Sequence, residues 1–400
     1  MFFRRFKKTD HIVEDHPLVH HRGIFRRQIS LFEAVALVVS GTIGAGVLGI
    51  PFVVAKVGIS IGILYIVTLG LLMMGLNLLI GEVATCTKQE LQIVGLARVY
   101  LGRWGAWFMT GLIYVMGVGV LTVYIVGEGT ALSALFGGDS FTWSVIFFAI
   151  GSVCVYAGLR LIKIMDLFLG LGLLLVIIVI SLLGVPHMSV AHVEFNNLAY
   201  LLFPYGVILF SLSSTGVIPE AHALLKRKDG LFKKTIVIAS IICIVIYSLF
   251  AFVVVGVTGL ETTEIATVGL GSVVGNTIFV LGNIFAVLAM GTGFLMRGIA
   301  LRDSLTWDYK VHPVTASLVV CVIPFLIFIA GLRSFIGLID VIGGVFVSID
   351  LLCMVLIYWR ARQQGVLNNK KYHIHHALLL VPVLLLALAV GAVYSLVKLF

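Results

Sequence analysis

The chain has 400 residues, 60% of them hydrophobic and 11% charged, with a mean hydropathy of +1.16 and a formal net charge of +9. That excess of apolar residues excludes an ordinary soluble domain, and basic residues set in short clusters beside apolar runs speak against a nucleic-acid partner. The composition is that of a polytopic helical membrane protein, in which a helix needs about 20 apolar residues to cross roughly 30 Å of hydrocarbon.

Residues 1–30 carry Arg4, Arg5, Lys7, Lys8, Arg22, Arg26 and Arg27 without the apolar core of a cleavable signal, and read as a cytoplasmic tail. Eleven apolar runs follow, at 31–57, 60–84, 104–135, 141–158, 161–184, 198–224, 235–257, 276–301, 313–330, 334–359 and 377–398. With the N-terminus inside, all 27 basic residues except Lys56, Arg333 and Lys398 fall on the cytoplasmic side. "LKRKDGLFKK" at 225–234 is such a cytoplasmic cluster, whereas "VPHMSVAHVEFNN" and "TGLETTEIATVGLGS" hold neither Lys nor Arg. This asymmetry predicts a plasma (inner) membrane protein with a cytoplasmic N-terminus and an external C-terminus.

The first run is punctuated where a plain span would be continuous. "SGTIGAGVLGIPF", 40–52, sets Gly41, Gly44, Gly46 and Gly49 ahead of Pro51, residues that withdraw side-chain support and a backbone donor. The sixth run, "LFPYGVILFSLSSTGVIPEA" at 202–221, carries Ser211, Ser213, Ser214 and Thr215, then Gly216, Pro219 and Glu220. Proline and glutamate suit the first turn of a new helix, so this segment predicts a stop and a restart. The two interrupted runs open two blocks of five, 31–184 and 198–360, with an eleventh helix in 377–400. An odd number of spans per block inverts the second block. Gly/Pro-interrupted helices at corresponding positions of inverted halves point to a secondary transporter's binding site. The competing reading makes the glycines a close helix-packing face.

"GTIGAGVLGIPF" resembles the signature of amino acid permeases of the amino acid, polyamine and organocation superfamily. The likeness is nearest to the amino acid/auxin permease and tyrosine/tryptophan permease branch, with which "LFSLSSTGVIPE" and eleven spans agree. The resemblance implies an all-α membrane protein with a five-plus-five inverted repeat, broken helices one and six, and a leucine-transporter-like fold. It also implies one substrate held between spans one, three, six, eight and ten.

Free backbone amides at Ile43, Gly44, Ala45 and Gly46 can hold a carboxylate without a cationic side chain. Carbonyls near Gly41, Thr42, Phe210 and Ser211 suit an ammonium group or small cation. Ser213, Ser214 and Thr215, with Met116, Gly119 and Val120 of the third span, complete the predicted pocket. With no acid centred in either break, a neutral L-amino acid, hydrophobic or aromatic, is expected. The family likeness sets a coupling cation such as sodium between Gly41, Thr42 and Thr292; Gly291 and Gly293 flank Thr292 where many relatives have a second hydroxyl, which leaves the alternative of a proton carried elsewhere, with Asp350 the first candidate. Charged residues within spans default to functional hypotheses. Asp350, Glu82 and Asp166 are the proton or gating candidates; for Glu128, as for Glu82 and Asp166, solvation or a local ion pair and proton coupling are equally open, Glu33 is expected to meet water rather than form a gate, and Glu220 to cap a helix.

No resident cofactor and no metal are expected. Cys86, Cys154, Cys243, Cys321 and Cys353 lack ligand-like spacing, and "YHIHH" at 372–376 reads as an interfacial loop. A channel would need a selectivity ring, an enzyme a nucleophile or acid/base pair, and a metal-ion transporter carboxylate, amide and thioether ligands in the breaks. A proton-coupled transporter or exchanger of another small organic solute is the alternative to amino acid symport. The partners expected are the substrate and the bilayer, with no second copy required. An interfacial helix in 88–102 and an outer lid in 260–272 complete the reading.

Overall fold

The computed structural model describes residues 30–87, 91–158, 162–225, 229–307, 309–367, 372 and 377–397. The tail over 1–29 and His373, His375 and His376 of the histidine-rich loop lie outside them. The described structure is helical apart from one isolated antiparallel bridge, Gly58 to Asn196.

In chain order the helices are α1 (Leu31–Thr42), α2 (Gly46–Val57), α3 (Ile59–Cys86), α4 (Ile93–Tyr100), α5 (Gly102–Phe136), α6 (Ser140–Ala157), α7 (Ile162–Gly184) and α8 (Val190–Glu194). There follow α9 (Tyr205–Leu212), α10 (Ile218–Leu224), α11 (Asp229–Thr258), α12 (Ala266–Val274) and α13 (Asn276–Trp307). The last are α14 (Pro313–Ile329), α15 (Phe335–Val341), α16 (Ser348–Gln363) and α17 (Ala377–Val397). Among the described residues six helices are individually long and apolar enough to cross a membrane, and α1 with α2 form one further span bent by 60°.

Local chemistry accounts for the boundaries. Ser30 caps α1 in a reciprocal box: its hydroxyl accepts from the Glu33 amide at 3.3 Å, while the Glu33 carboxylate accepts from the Ser30 amide at 2.7 Å. Glu33 is exposed to water, as expected, and caps the helix as well. Gly58 turns α2 into α3 at φ 100°, and a Cβ there would strike the backbone of Phe195. The sixth run enters helix only at Tyr205, because Pro204 holds the N-cap position and Leu198–Tyr200 form a separate 3₁₀ turn. The tenth run is not uniform either, since Ile342–Val347 between α15 and α16 is π-helical, a form that recurs at functional sites.

Across the bundle α2 packs against α9, α3 along α11, α5 along α13, and α6 against α14. The first half-helix, α1, lies against α7 and α11, and α9 runs along the π-helical stretch. There Gly206 meets Gly343 and Gly344 so closely that a Cβ on Gly343 would overlap the Gly206 carbonyl. Leu71, Phe108, Val153, Leu326 and Leu386 project outward, as the face toward lipid requires. The short helices α4 and α12 occupy the segments predicted as interfacial helix and outer lid.

Candidate substrate site at two helix breaks

α1 stops at Thr42 and α2 starts at Gly46. α9 stops at Leu212, and a single 3₁₀ turn, Thr215–Val217, leads into α10. The two interruptions touch. A Cβ on Gly46 would lie 2.5 Å from the Ser211 hydroxyl and 3.0 Å from the Phe210 ring, and one on Gly41 would lie 2.6 Å from Val217. Gly49 is closed in the same way by Ile336 at 2.7 Å. Gly44 differs, with no atom within 4 Å of where its Cβ would be. The close-packing reading fits Gly41, Gly46 and Gly49, whereas Gly44 faces open space.

The amides of Gly44, Ala45 and Gly46 donate to no backbone carbonyl among the described residues, whereas the Ile43 amide is spent on Val39 at 2.8 Å. Ile43 thereby leaves the predicted set of free donors. Three adjacent amides at the start of a helix form an anion seat. The carbonyls are less free than the sequence suggests. Phe210 accepts from the Ser213 amide at 3.1 Å. The Tyr247 hydroxyl on α11 lies 3.1 Å from the Thr42 carbonyl oxygen and 3.0 Å from that of Ser211, bridging the ends of α1 and α9. Tyr247 is fully buried and was not singled out by sequence: in "IVIYSLF" nothing separates it from an ordinary aromatic in an apolar run.

The remaining predicted residues distribute as follows. The hydroxyls of Thr42 and Ser211 donate back one turn, to Val38 at 2.6 Å and Val207 at 2.7 Å. Ser214 accepts from the Asn77 side-chain amide of α3 at 2.9 Å, Thr215 is buried and Ser213 half-buried. On α5, Met116 is half-buried, Val120 is buried, and Gly119 packs on Ile342 of the π-helical stretch. The Thr292 hydroxyl donates within α13, to Leu288 at 2.8 Å and Ala289 at 3.2 Å.

Asp350 is buried on α16 within electrostatic reach of Arg297. Glu82 is fully buried on α3 and accepts from the Tyr358 hydroxyl of α16 at 3.3 Å, so it is not solvated. The Asp166 side chain lies outside the described residues. Glu128 is also not solvated: it is fully buried, with neither carboxylate oxygen hydrogen-bonded.

At the other end of the bundle the Glu264 carboxylate, just before α12, accepts from the Ile336 amide at 3.1 Å and the Ser334 hydroxyl at 3.2 Å. This ties the segment before α12 to the start of α15. Glu264→Ala should raise the KM of uptake about fivefold, the equivalent of one exposed charge-assisted bond of about 1 kcal/mol, at unchanged expression. An unchanged KM would make the contact incidental.

A bundle of apolar helices that joins two helix interruptions at one point is the architecture of secondary transporters. Over 93% of this chain and 91% of the other, the structure superposes on Mhp1, solved in its inward-facing conformation, with TM-score 0.63 and 15% identity. It also superposes on the manganese transporter of Eremococcus coleocola, with TM-score 0.64 and 15% identity over 91% of this chain and 86% of that one. By sequence, residues 27–396 match the tryptophan/tyrosine permease family, and the chain belongs to it. It is 27% identical over 284 residues to glutamine transporter 2 of Aliivibrio fischeri, covering 67% of this chain and 73% of that protein. It is 23% identical over 303 residues to amino acid transporter AVT3C of Arabidopsis thaliana, covering 67% and 68%. The protein is an integral membrane amino acid transporter and not an enzyme.

Proposed function

We propose that the chain is a cation-coupled symporter that imports a neutral L-amino acid, hydrophobic or aromatic, by alternating access. The observation that carries this reading is the open space at Gly44 beside three unspent amides, where the substrate carboxylate sits. Thr42, Ala45, Gly46, Phe210, Ser211, Ser213, Ser214 and Thr215 form its walls, and Met116, Gly119 and Val120 the side toward α5. With Thr42 and Ser211 carbonyls engaged by Tyr247, the substrate ammonium falls to the Gly41 carbonyl and the Ser213 to Thr215 hydroxyls. The breaks contain no acid or base to select a charged side chain, and the glutamine transporter among the relatives is named for a neutral amino acid.

The architecture is eleven spans in a five-plus-five inverted repeat, 31–184 and 198–360, with the last helix at 377–400 outside it and the N-terminus cytoplasmic. Support comes from the packing of counterparts, since four helices of the first block each meet the corresponding member of the second. Asp350 and Glu82 act as gating groups, Glu82 through its bond to Tyr358.

Two readings of the coupling cation differ in support. A sodium ion at Gly41, Thr42 and Thr292 must share the Thr42 carbonyl with Tyr247, and the Thr292 hydroxyl already turns into its own helix. A proton needs no such cage, and this geometry favours it. Thr292→Ala should therefore keep uptake within about twofold of wild type, an exposed or back-bonded hydroxyl being worth well under 1 kcal/mol here. Loss of sodium-stimulated uptake in that variant would restore the sodium site.

The test is a thermal-shift screen of the purified protein against the twenty L-amino acids, with and without sodium. A ligand at a hundred times its Kd stabilises by about 2.7 kcal/mol. Stabilisation by neutral amino acids is expected, and stabilisation only by charged ones or by divalent metals would overturn the reading.

A further inference from the structure

Glu128 is a buried titratable group that the substrate site does not use. It is 0% exposed on α5, and neither oxygen has a hydrogen-bond partner. One oxygen lies 3.0 Å from where a Cβ on Gly291 of α13 would stand, so the glycine makes room for the carboxylate. Phe147 of α6 borders the same spot, while Met290 and Phe335 border neighbouring Gly127, and Ser144 borders Gly129. The Ser144 hydroxyl is committed to the Ile125 carbonyl at 2.9 Å.

No charge among the described residues offsets the carboxylate. Among the groups on elements packed against α5, Arg302 of α13 is tied to Asp303 at 2.6 Å and to the Val155 carbonyl, and Arg297 acts on Asp350 of α16. Asp340 of α15 is turned toward Gly206 of α9, Cys321 of α14 lies beside Ser152 of α6, and Arg98 and Tyr100 of α4 sit at the far end of α5. Tyr124, one turn away on α5 itself, packs on Gly293. An ionised carboxylate with no hydrogen bond and no counter-charge is among the costliest groups a membrane protein can bury. Such a group needs a cation whenever water leaves it.

We propose that Glu128 is the site of the coupling cation, and that the cation is a proton. Resting on the transporter reading above, this assigns the coupling step to the seam between α5 and α13, the third helix of one block and its counterpart in the other. The carboxylate takes one proton while the outer side is open, is carried through the closed state as the neutral acid, and returns that proton to the cytoplasm. No bond other than O–H forms or breaks. A sodium ion is the rival occupant, but Glu128 is flanked by aromatic and thioether groups and lacks the further oxygen ligands an alkali ion requires.

The experiment compares wild-type protein and Glu128→Gln in proteoliposomes with labelled L-tryptophan and L-glutamine. Exchange, with substrate on both sides, is measured beside accumulation driven by a pH gradient or by a sodium gradient. Wild type should accumulate under the pH gradient, and Glu128→Gln should keep exchange within about threefold while losing at least tenfold in accumulation. Equal accumulation in both proteins overturns the proposal, and so does a sodium-driven wild type indifferent to pH. Loss of exchange together with accumulation, in a variant that melts like wild type, overturns the coupling role and leaves Glu128 structural. If Glu128→Gln fails to fold, Glu128→Asp must shift the pH midpoint of accumulation, and an unshifted midpoint overturns the proposal. Wild-type vesicles that take up neither probe sink the transport reading itself, which separates the two failures.

Discussion

Gly44→Val should reduce uptake at least a hundredfold while leaving expression and melting temperature close to wild type. Its Cβ would enter space with no atom within 4 Å, and Gly44 is not among the glycines with positive φ, so the fold meets neither a clash nor a forbidden backbone angle. The added side chain instead fills the place where a ligand meets the amides. A hundredfold loss corresponds to about 2.7 kcal/mol, within what a blocked polar contact and a steric conflict supply together. Gly46→Val should fail differently. There the new atoms meet Ser211 and Phe210 at 2.5 to 3.0 Å, so the two breaks are forced apart and the protein is destabilised by about 1 to 3 kcal/mol. Parallel melting curves and uptake in proteoliposomes separate the two effects. Undiminished uptake by a folded Gly44→Val protein would remove the amides from the site.

Tyr247→Phe should have the next largest effect. The substitution keeps the ring and removes one hydroxyl, yet that hydroxyl stands between two carbonyls in a fully buried position. Each polar group left without a partner costs about 1 to 3 kcal/mol. A lower melting temperature and at least a tenfold fall in maximal uptake rate are expected, because the ends of α1 and α9 lose what holds them in register. Added sodium that restores the rate would show a cation taking the hydroxyl's place between the carbonyls. Wild-type melting and kinetics would reduce Tyr247 to packing.

The breaks were legible in the sequence because glycine and proline act locally: four glycines in nine residues before Pro51, or Pro219 followed by Glu220, disturb a helix whatever surrounds it. Long apolar runs with basic residues beside them are equally local signals, which is why helices such as α3, α5, α6 and α17 fall within a few residues of their predicted limits. The partners of the breaks were not legible. Tyr247 lies 205 positions from Thr42 and Asn77 137 from Ser214, and no periodicity carries such pairings. Nor could composition divide the glycines, since Gly44 and Gly46 differ only in whether Ser211 stands opposite. The choice left open at Glu128 was not legible for a related reason: nearness to a helix end suggests water, but Phe147 of α6 and Gly291 of α13 close over the side chain before water reaches it.

The contact between Gly206 and the pair Gly343–Gly344 has a mechanical consequence. Where two helices touch through interlocking side chains, displacement of one is absorbed by rotamer changes in the other. Here the Gly206 carbonyl lies directly on the Gly343 backbone, with the Asp340 and Phe210 side chains only at its edges, and peptide planes have no rotamers to yield. The surface behaves as a plain bearing: it resists compression and lets one element glide along the other, with the π-helical turn supplying slack in length. If α9 shifts when substrate binds, as the transport mechanism proposed above requires, this contact hands the movement to α15 and α16, and so to Glu264 at one end and Glu82 at the other.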